Sequence, residues 1–143
     1  MDRRRAYLDS SVVLRRLLRH EGALTGFARW DMVASDLMEV EALRTLRRVH
    51  SEGQLSDDDF GGRIAELRGI VAALEQFPIT TSVLKRAGGP LPGTLKALDA
   101  IHLATALLWS EHFGKDIVMI THDRQLAKVA RASGLEVYPR PMA

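Results

Sequence analysis

Four acidic residues of this chain stand where a carboxylate is costly or needs a use. Asp9 closes the run AYLD, and Glu41 lies inside the helical stretch DLMEVEALRTLRRVH. Asp99 opens the apolar stretch LKALDAIHLATALLWSEHF, and Asp123 sits in the turn THD after DIVMIT. No lysine or arginine follows Asp99 until Lys115, and burying a lone carboxylate in such a run is expensive. Carboxylates that converge without basic partners raise one another's pKa, and a divalent cation relieves that repulsion. With oxygen donors, no cysteine and no histidine pair, such a cluster suits Mg²⁺ or Mn²⁺ and not zinc.

Each acid also has a plainer use. Asp9, Asp99 and Asp123 are placed where helices begin, and aspartate there is a common N-cap or first-turn charge. Glu41 suits a surface ion pair with Arg44 or Arg48, and Glu39 competes with it for any role in a site. Helical periodicity does not separate the two glutamates.

The elements that must position these acids alternate between strand and helix. β-prone runs AYLD (6–9), DMVAS (31–35), FPIT (77–80), DIVMIT (116–121) and LEVYP (135–139) are the expected strands. Between them lie helical stretches over 10–20, 36–50, 63–76, 82–87, 95–113 and 123–134. Ser10 or Ser11 can cap the first, and Asp36 with Glu39 has capping-box spacing for the second. The segment SEGQLSDDDFGG reads as a loop or helix junction, while Gly88, Gly89 and Gly134 close helices. Such alternation implies right-handed crossovers and an α/β fold with a parallel sheet covered by helices. Ligands of such sheets gather at the carboxyl ends of the strands. Asp9 and Asp123 both fall on that edge, Asp99 opens a helix leading back to it, and Glu41 lies one turn past Leu37.

The bulk numbers fit one compact domain over residues 1–143. The chain is 46% hydrophobic and 27% charged with a net charge of +2, and no apolar run is long enough to span a bilayer. MDRRR is basic but no signal-peptide core follows it, and the absence of cysteine points to a reducing cytosol. Arginines cluster at Arg3, Arg4 and Arg5, at Arg15, Arg16 and Arg19, and at Arg44, Arg47 and Arg48. These clusters are either phosphate-attracting patches or solvated helix faces.

YLDSS, VEALRTLRR, LDAIHLATAL and ITHDRQLAKVARASGLEV, in this order and spacing, resemble a PIN domain, specifically the ribonuclease toxins of VapBC toxin–antitoxin systems. The resemblance runs from Tyr7 to Pro139, although residues 50–95 carry no motif. It implies a PIN-like three-layer α/β/α sandwich with a five-stranded parallel sheet in the order 3-2-1-4-5. It further implies Mg²⁺- or Mn²⁺-dependent hydrolysis of RNA, with Asp9, Glu41, Asp99 and Asp123 as the metal-holding catalytic acids. Ser10 after the first acid and Thr121 before the last are the hydroxyls expected to orient carboxylates. The implied partners are a transfer or ribosomal RNA, a VapB-type antitoxin and a second copy of the chain. A PIN nuclease of RNA processing and a non-catalytic module of the same fold are the alternatives.

Other folds with acidic pockets fit less well. A receiver domain needs an aspartate after the third strand and a lysine after the fifth, where this chain has Thr81 and Arg140. A haloacid-dehalogenase-type phosphatase needs a second acid where DSS has none. His102 is expected to be a polar group satisfied within helix packing, and His122 lies in the THD turn without a required role. Trp30 and Trp109 are expected to pack in the core or an interface, with base stacking the lesser use.

Overall fold

The computed structural model describes residues 4–19, 30–113 and 116–139. Arg3, Lys115, Arg140 and the expected end of the first helix at His20 lie outside them. In chain order the elements are β1 (Arg4–Leu8), α1 (Ser10–Leu17), β2 (Trp30–Ser35), α2 (Asp36–Ser51) and α3 (Asp57–Ala73). There follow β3 (Glu75–Phe77), α4 (Thr81–Ala87), α5 (Ala97–Phe113), β4 (Ile117–Ile120), α6 (Arg124–Ala132) and β5 (Glu136–Tyr138). The strands form one parallel sheet in the order β3-β2-β1-β4-β5, the architecture expected.

Both faces of the sheet are covered, so β4 is apolar throughout and β1 is buried and apolar from Ala6 to Leu8. Ala6, Leu8, Val118 and Ile120 point to one face, where Val12, Leu17, Met38, Leu46 and Leu67 of α1, α2 and α3 meet them. Tyr7, Val33, Ile117 and Met119 point to the other, against Leu103, Leu107, Trp109, Leu126 and Val129 of α5 and α6. The buried stripe of α2, Met38, Ala42, Leu46 and Val49, has the three-to-four spacing of a helix lying on a core.

Sequence and structure part at several boundaries. α3 begins at Asp57, inside the segment read as a junction, because Ser56 caps it by accepting from the Asp59 N–H. Asp57, Asp58 and Asp59 then favour the positive end of the helix, which outweighs the low helical propensity of Gly61 and Gly62. β3 lies at Glu75–Phe77 and not over FPIT: it pairs with Val33 to Ser35, and Pro78 has no N–H to extend the ladder. α2 is capped by Ser35, whose hydroxyl accepts from the Leu37 N–H, so the Asp36–Glu39 capping box is not formed. Residue Gly134, at φ +95°, takes the left-handed conformation expected just past α6.

The arginine clusters are largely tied into the fold. Arg4 pairs with Glu136, Arg16 and Arg19 with Glu66, and Arg48 with Glu52, while Arg47 lies over the Phe60 ring. Trp109 is buried beneath the Arg5 guanidinium, and Trp30 is buried with its ring edge-on to Tyr138. Both tryptophans are packing residues, as expected. Among the described residues no helix is long and apolar enough to cross a membrane.

Candidate active site

β1 and β4 are neighbours, and their register pairs Leu8 with Ile120. The next residue of each strand, Asp9 and Thr121, therefore leaves the sheet side by side at its carboxyl edge. The Asp9 N–H still reaches the Ile120 carbonyl at 3.3 Å, and the Thr121 N–H reaches that of Tyr138 at 3.2 Å. Asp9 is only 3% exposed. Its carboxylate survives burial because Ser11 Oγ donates to Oδ1 at 2.6 Å and Thr121 Oγ1 donates to Oδ2 at 2.8 Å.

Two backbone amides lock those hydroxyls in turn. The His122 N–H donates to Ser11 Oγ and the Asp123 N–H to Thr121 Oγ1, each at 3.0 Å. Thr121 thus takes the place expected of it. The other hydroxyl on Asp9 is that of Ser11 and not Ser10, because the first turn of α1 swings the second serine back over the strand end. Asp9 is the N-cap residue of α1 by position, but its side chain makes no cap bond; its oxygens are turned to the hydroxyls instead.

Asp123 and Asp99 come to the same edge from two helices. Asp123 caps α6, accepting from the Leu126 N–H through Oδ1 at 2.8 Å, which leaves Oδ2 outside the cap. Asp99, half-buried in the first turn of α5, is close enough to Asp123 and Glu41 for both to act on its titration. Glu41 lies in α2 with its side chain 17% exposed, and its Oε1 is bonded to His102 Nε2 of α5. The surface pairing of Glu41 with Arg44 or Arg48 does not occur: Arg48 pairs with Glu52, and the partner of Glu41 is an imidazole. It is Glu41, not Glu39, that enters this network.

The electrostatics mark these acids as a coupled group. Burial pushes the Asp9 carboxyl above the usual carboxylate range; Ser11, Thr121 and the His102 imidazole pull it down, while Asp99 adds to the rise. Asp99 is also raised, first by burial and then by Asp123 and Glu41, with His102 and Lys96 opposing. Among the described residues, none of Asp9, Asp99 and Asp123 has an ion pair with lysine or arginine. Nor do three acidic or histidine side chains stand close enough together, among the described residues, to form a ready-made metal cage. The donors are all hard oxygens under mutual repulsion, which suits a hydrated divalent cation entering with its own waters.

Tyr7 is the residue of this edge that sequence reasoning passed over, while Ser11 was read only as a cap and His102 only as a group satisfied in packing. His102 is satisfied, as expected, but by partners on other elements: Nδ1 lies 2.6 Å from the Tyr7 hydroxyl, and Nε2 reaches Glu41. The signal was the spacing of Asp99 and His102, three residues apart and so on one face of α5. Burial, followed by the charge of Arg15, lowers the His122 pKa, so its ring is neutral at neutral pH.

Several known proteins are similar to this chain. A model of the PIN domain matches residues 6–132. The chain is 33% identical over 135 residues to "Ribonuclease VapC46" of Mycobacterium tuberculosis, covering 92% of this chain and 94% of that protein. Among solved structures, PAE2754 from Pyrobaculum aerophilum aligns with a TM-score of 0.60 at 15% identity, covering 95% of this chain and 92% of that one. A toxin–antitoxin complex from Klebsiella pneumoniae gives 0.55 at 17% identity, over 87% of this chain and 92% of that one. The chain belongs to the PIN-domain family, and within it is of the VapC type.

Proposed function

We propose that this protein is a metal-dependent endoribonuclease acting as the toxin of a type II toxin–antitoxin pair. The observation that carries the reading is the carboxyl edge itself: among the described residues, three acids have no lysine or arginine ion pair and one is held by an imidazole, and two of the four have raised pKa values. The likeness to a VapC ribonuclease over nearly the whole chain supports RNA as the substrate, transfer or ribosomal RNA being the class to try first.

Asp9, Glu41, Asp99 and Asp123 would hold Mg²⁺ or Mn²⁺, which when bound polarises the scissile phosphate and supplies a hydroxide-like nucleophile from water. The chain's own groups do the rest. Ser11 and Thr121 keep both oxygens of Asp9 aimed, and the α6 cap holds Asp123 by one oxygen. Ser10, the hydroxyl expected beside Asp9, has no part in this reading, since Ser11 supplies the bond. An antitoxin that covers the acidic edge would silence the enzyme, in line with the toxin–antitoxin complex among its structural neighbours. Dimerisation and a cytosolic setting complete the reading.

Cleavage of tRNA and rRNA in Mg²⁺ or Mn²⁺, with an EDTA control and Asp9→Asn prepared identically, tests it. The expected result is cleavage that needs metal and falls at least about a hundredfold in the variant. Cleavage that persists in Asp9→Asn would remove this site from the reaction. A wild-type protein that neither cuts RNA nor binds Mn²⁺ would be a non-catalytic member of the family.

A further inference from the structure

His102 is the third residue after Asp99 in α5, and it is 1% exposed. Both ring nitrogens are engaged. Nε2 faces the Glu41 carboxylate, which can only accept, so the proton between them belongs to the imidazole. Nδ1 faces the Tyr7 hydroxyl at 2.6 Å, a group wholly buried on β1 two residues before Asp9. The phenol can donate to a bare Nδ1 or accept from a protonated one, so the hydrogen on Nε2 is fixed by Glu41 and Tyr7 fixes the plane of the ring. With no open atom and almost no surface, His102 has nothing to offer a substrate or a water.

The chain Tyr7–His102–Glu41 also crosses the molecule. α2 covers one face of the sheet and α5 the other, and their side chains are joined here around the carboxyl edge. Glu41 needs such a partner more than the other acids do. Asp9 is short and held by two hydroxyls, and Asp123 by a helix terminus, whereas a glutamate in mid-helix has a longer, more mobile side chain. We infer that His102 is a positioning residue: locked by Tyr7, it holds the Glu41 carboxylate in place for a cation at the edge. The inference rests on Glu41 being a site acid.

Mn²⁺ titration of the RNA-free protein tests it, together with the imidazole ¹⁵N–¹H spectrum at neutral pH. His102→Leu should bind Mn²⁺ about 10–100-fold more weakly, as the loss of a group that orients a ligand does. His102→Gln, which keeps an N–H where Nε2 was, should recover most of that loss, and Tyr7→Phe should fall between. In a Glu41→Gln background, His102→Leu should add nothing. A folded His102→Leu protein with wild-type Mn²⁺ affinity, or a full further loss in the Glu41→Gln background, overturns the proposal. So does a spectrum with the ring proton on Nδ1 and none on Nε2, a result that requires no metal. Absence of Mn²⁺ binding by wild type together with an Nε2–H tautomer would instead overturn the nuclease reading and the metal-holding role with it, leaving the tie between layers as a purely structural device.

Discussion

At Asp9 a buried carboxylate is made tolerable by two hydroxyl donors, and its neighbours can be told apart by removing them singly. Thr121→Val leaves Asp9 Oδ2 without its donor, so it should cost about 1–3 kcal/mol in urea unfolding and weaken Mn²⁺ binding by about tenfold or more. Ser11→Ala should behave alike, whereas Ser10→Ala should stay within about 0.5 kcal/mol of wild type. Equal effects at Ser10 and Ser11 would contradict the hydrogen bonds described. Asp99 tests the repulsion instead. Its carboxyl is raised in the folded chain, chiefly by burial and then by Asp123, so folding favours its protonated form. That contribution is fully present below the unfolded carboxylate value and is lost as pH rises through the raised one. Asp99→Asn should therefore stabilise the metal-free protein at pH 7, by about 0.5 kcal/mol given solvent screening, and should change little below about pH 3. Thermal melts at the two pH values decide it, and a variant less stable than wild type at pH 7 would refute the repulsion. The four acids stood out in the sequence because a carboxylate beside an apolar run invites explanation, and the fold brings them towards one edge of the sheet. Ser11 was not, because which of two adjacent hydroxyls turns inward depends on the first turn of α1 over the strand end.

Asp123 caps α6 and is a metal-holding acid in the proposed function, and two substitutions separate the roles. Asp123→Asn keeps the cap, since asparagine caps as well as aspartate, and should leave stability within about 0.5 kcal/mol while abolishing metal-dependent cleavage. Asp123→Ala should lose cleavage and also about 1 kcal/mol of stability, read from urea midpoints. If Asp123→Asn cleaved normally, Asp123 would be a cap and nothing more. At this scale the strands and helices that carry the acids were legible from alternation and from long apolar stripes such as that of α2. Boundaries were displaced where two local signals compete. Ser35 caps α2 ahead of Asp36, Ser56 starts α3 ahead of two glycines, and Pro78 ends β3 where FPIT suggested a beginning. The first two follow from a neighbour's hydrogen bond and the third from the N–H that proline lacks, and local propensity contains neither.

Over the whole molecule, the connection between α4 and α5 must lie flat against α6 for Asp99 to reach the edge. Gly93 marks the contact: a Cβ there would stand 2.7 Å from Cγ2 of Val129, a buried, β-branched side chain with little freedom to move. Gly93→Ala should cost about 1–3 kcal/mol in urea unfolding, with Val129→Ala restoring part of it. An alanine tolerated without loss would mean that the connection can lift away from α6. The sequence alone determined the α/β class and, through its family resemblance, the parallel order of the sheet, because periodicity and apolar runs are written in residue types. Only the tertiary structure decided that Glu41 pairs across the sheet with His102, that Tyr7 locks that ring, and that Ser11 rather than Ser10 serves Asp9. The first two of these contacts join residues 61 and 95 positions apart. They depend on strand register and on which helices share an edge, and those are fixed only when both faces of the sheet are packed.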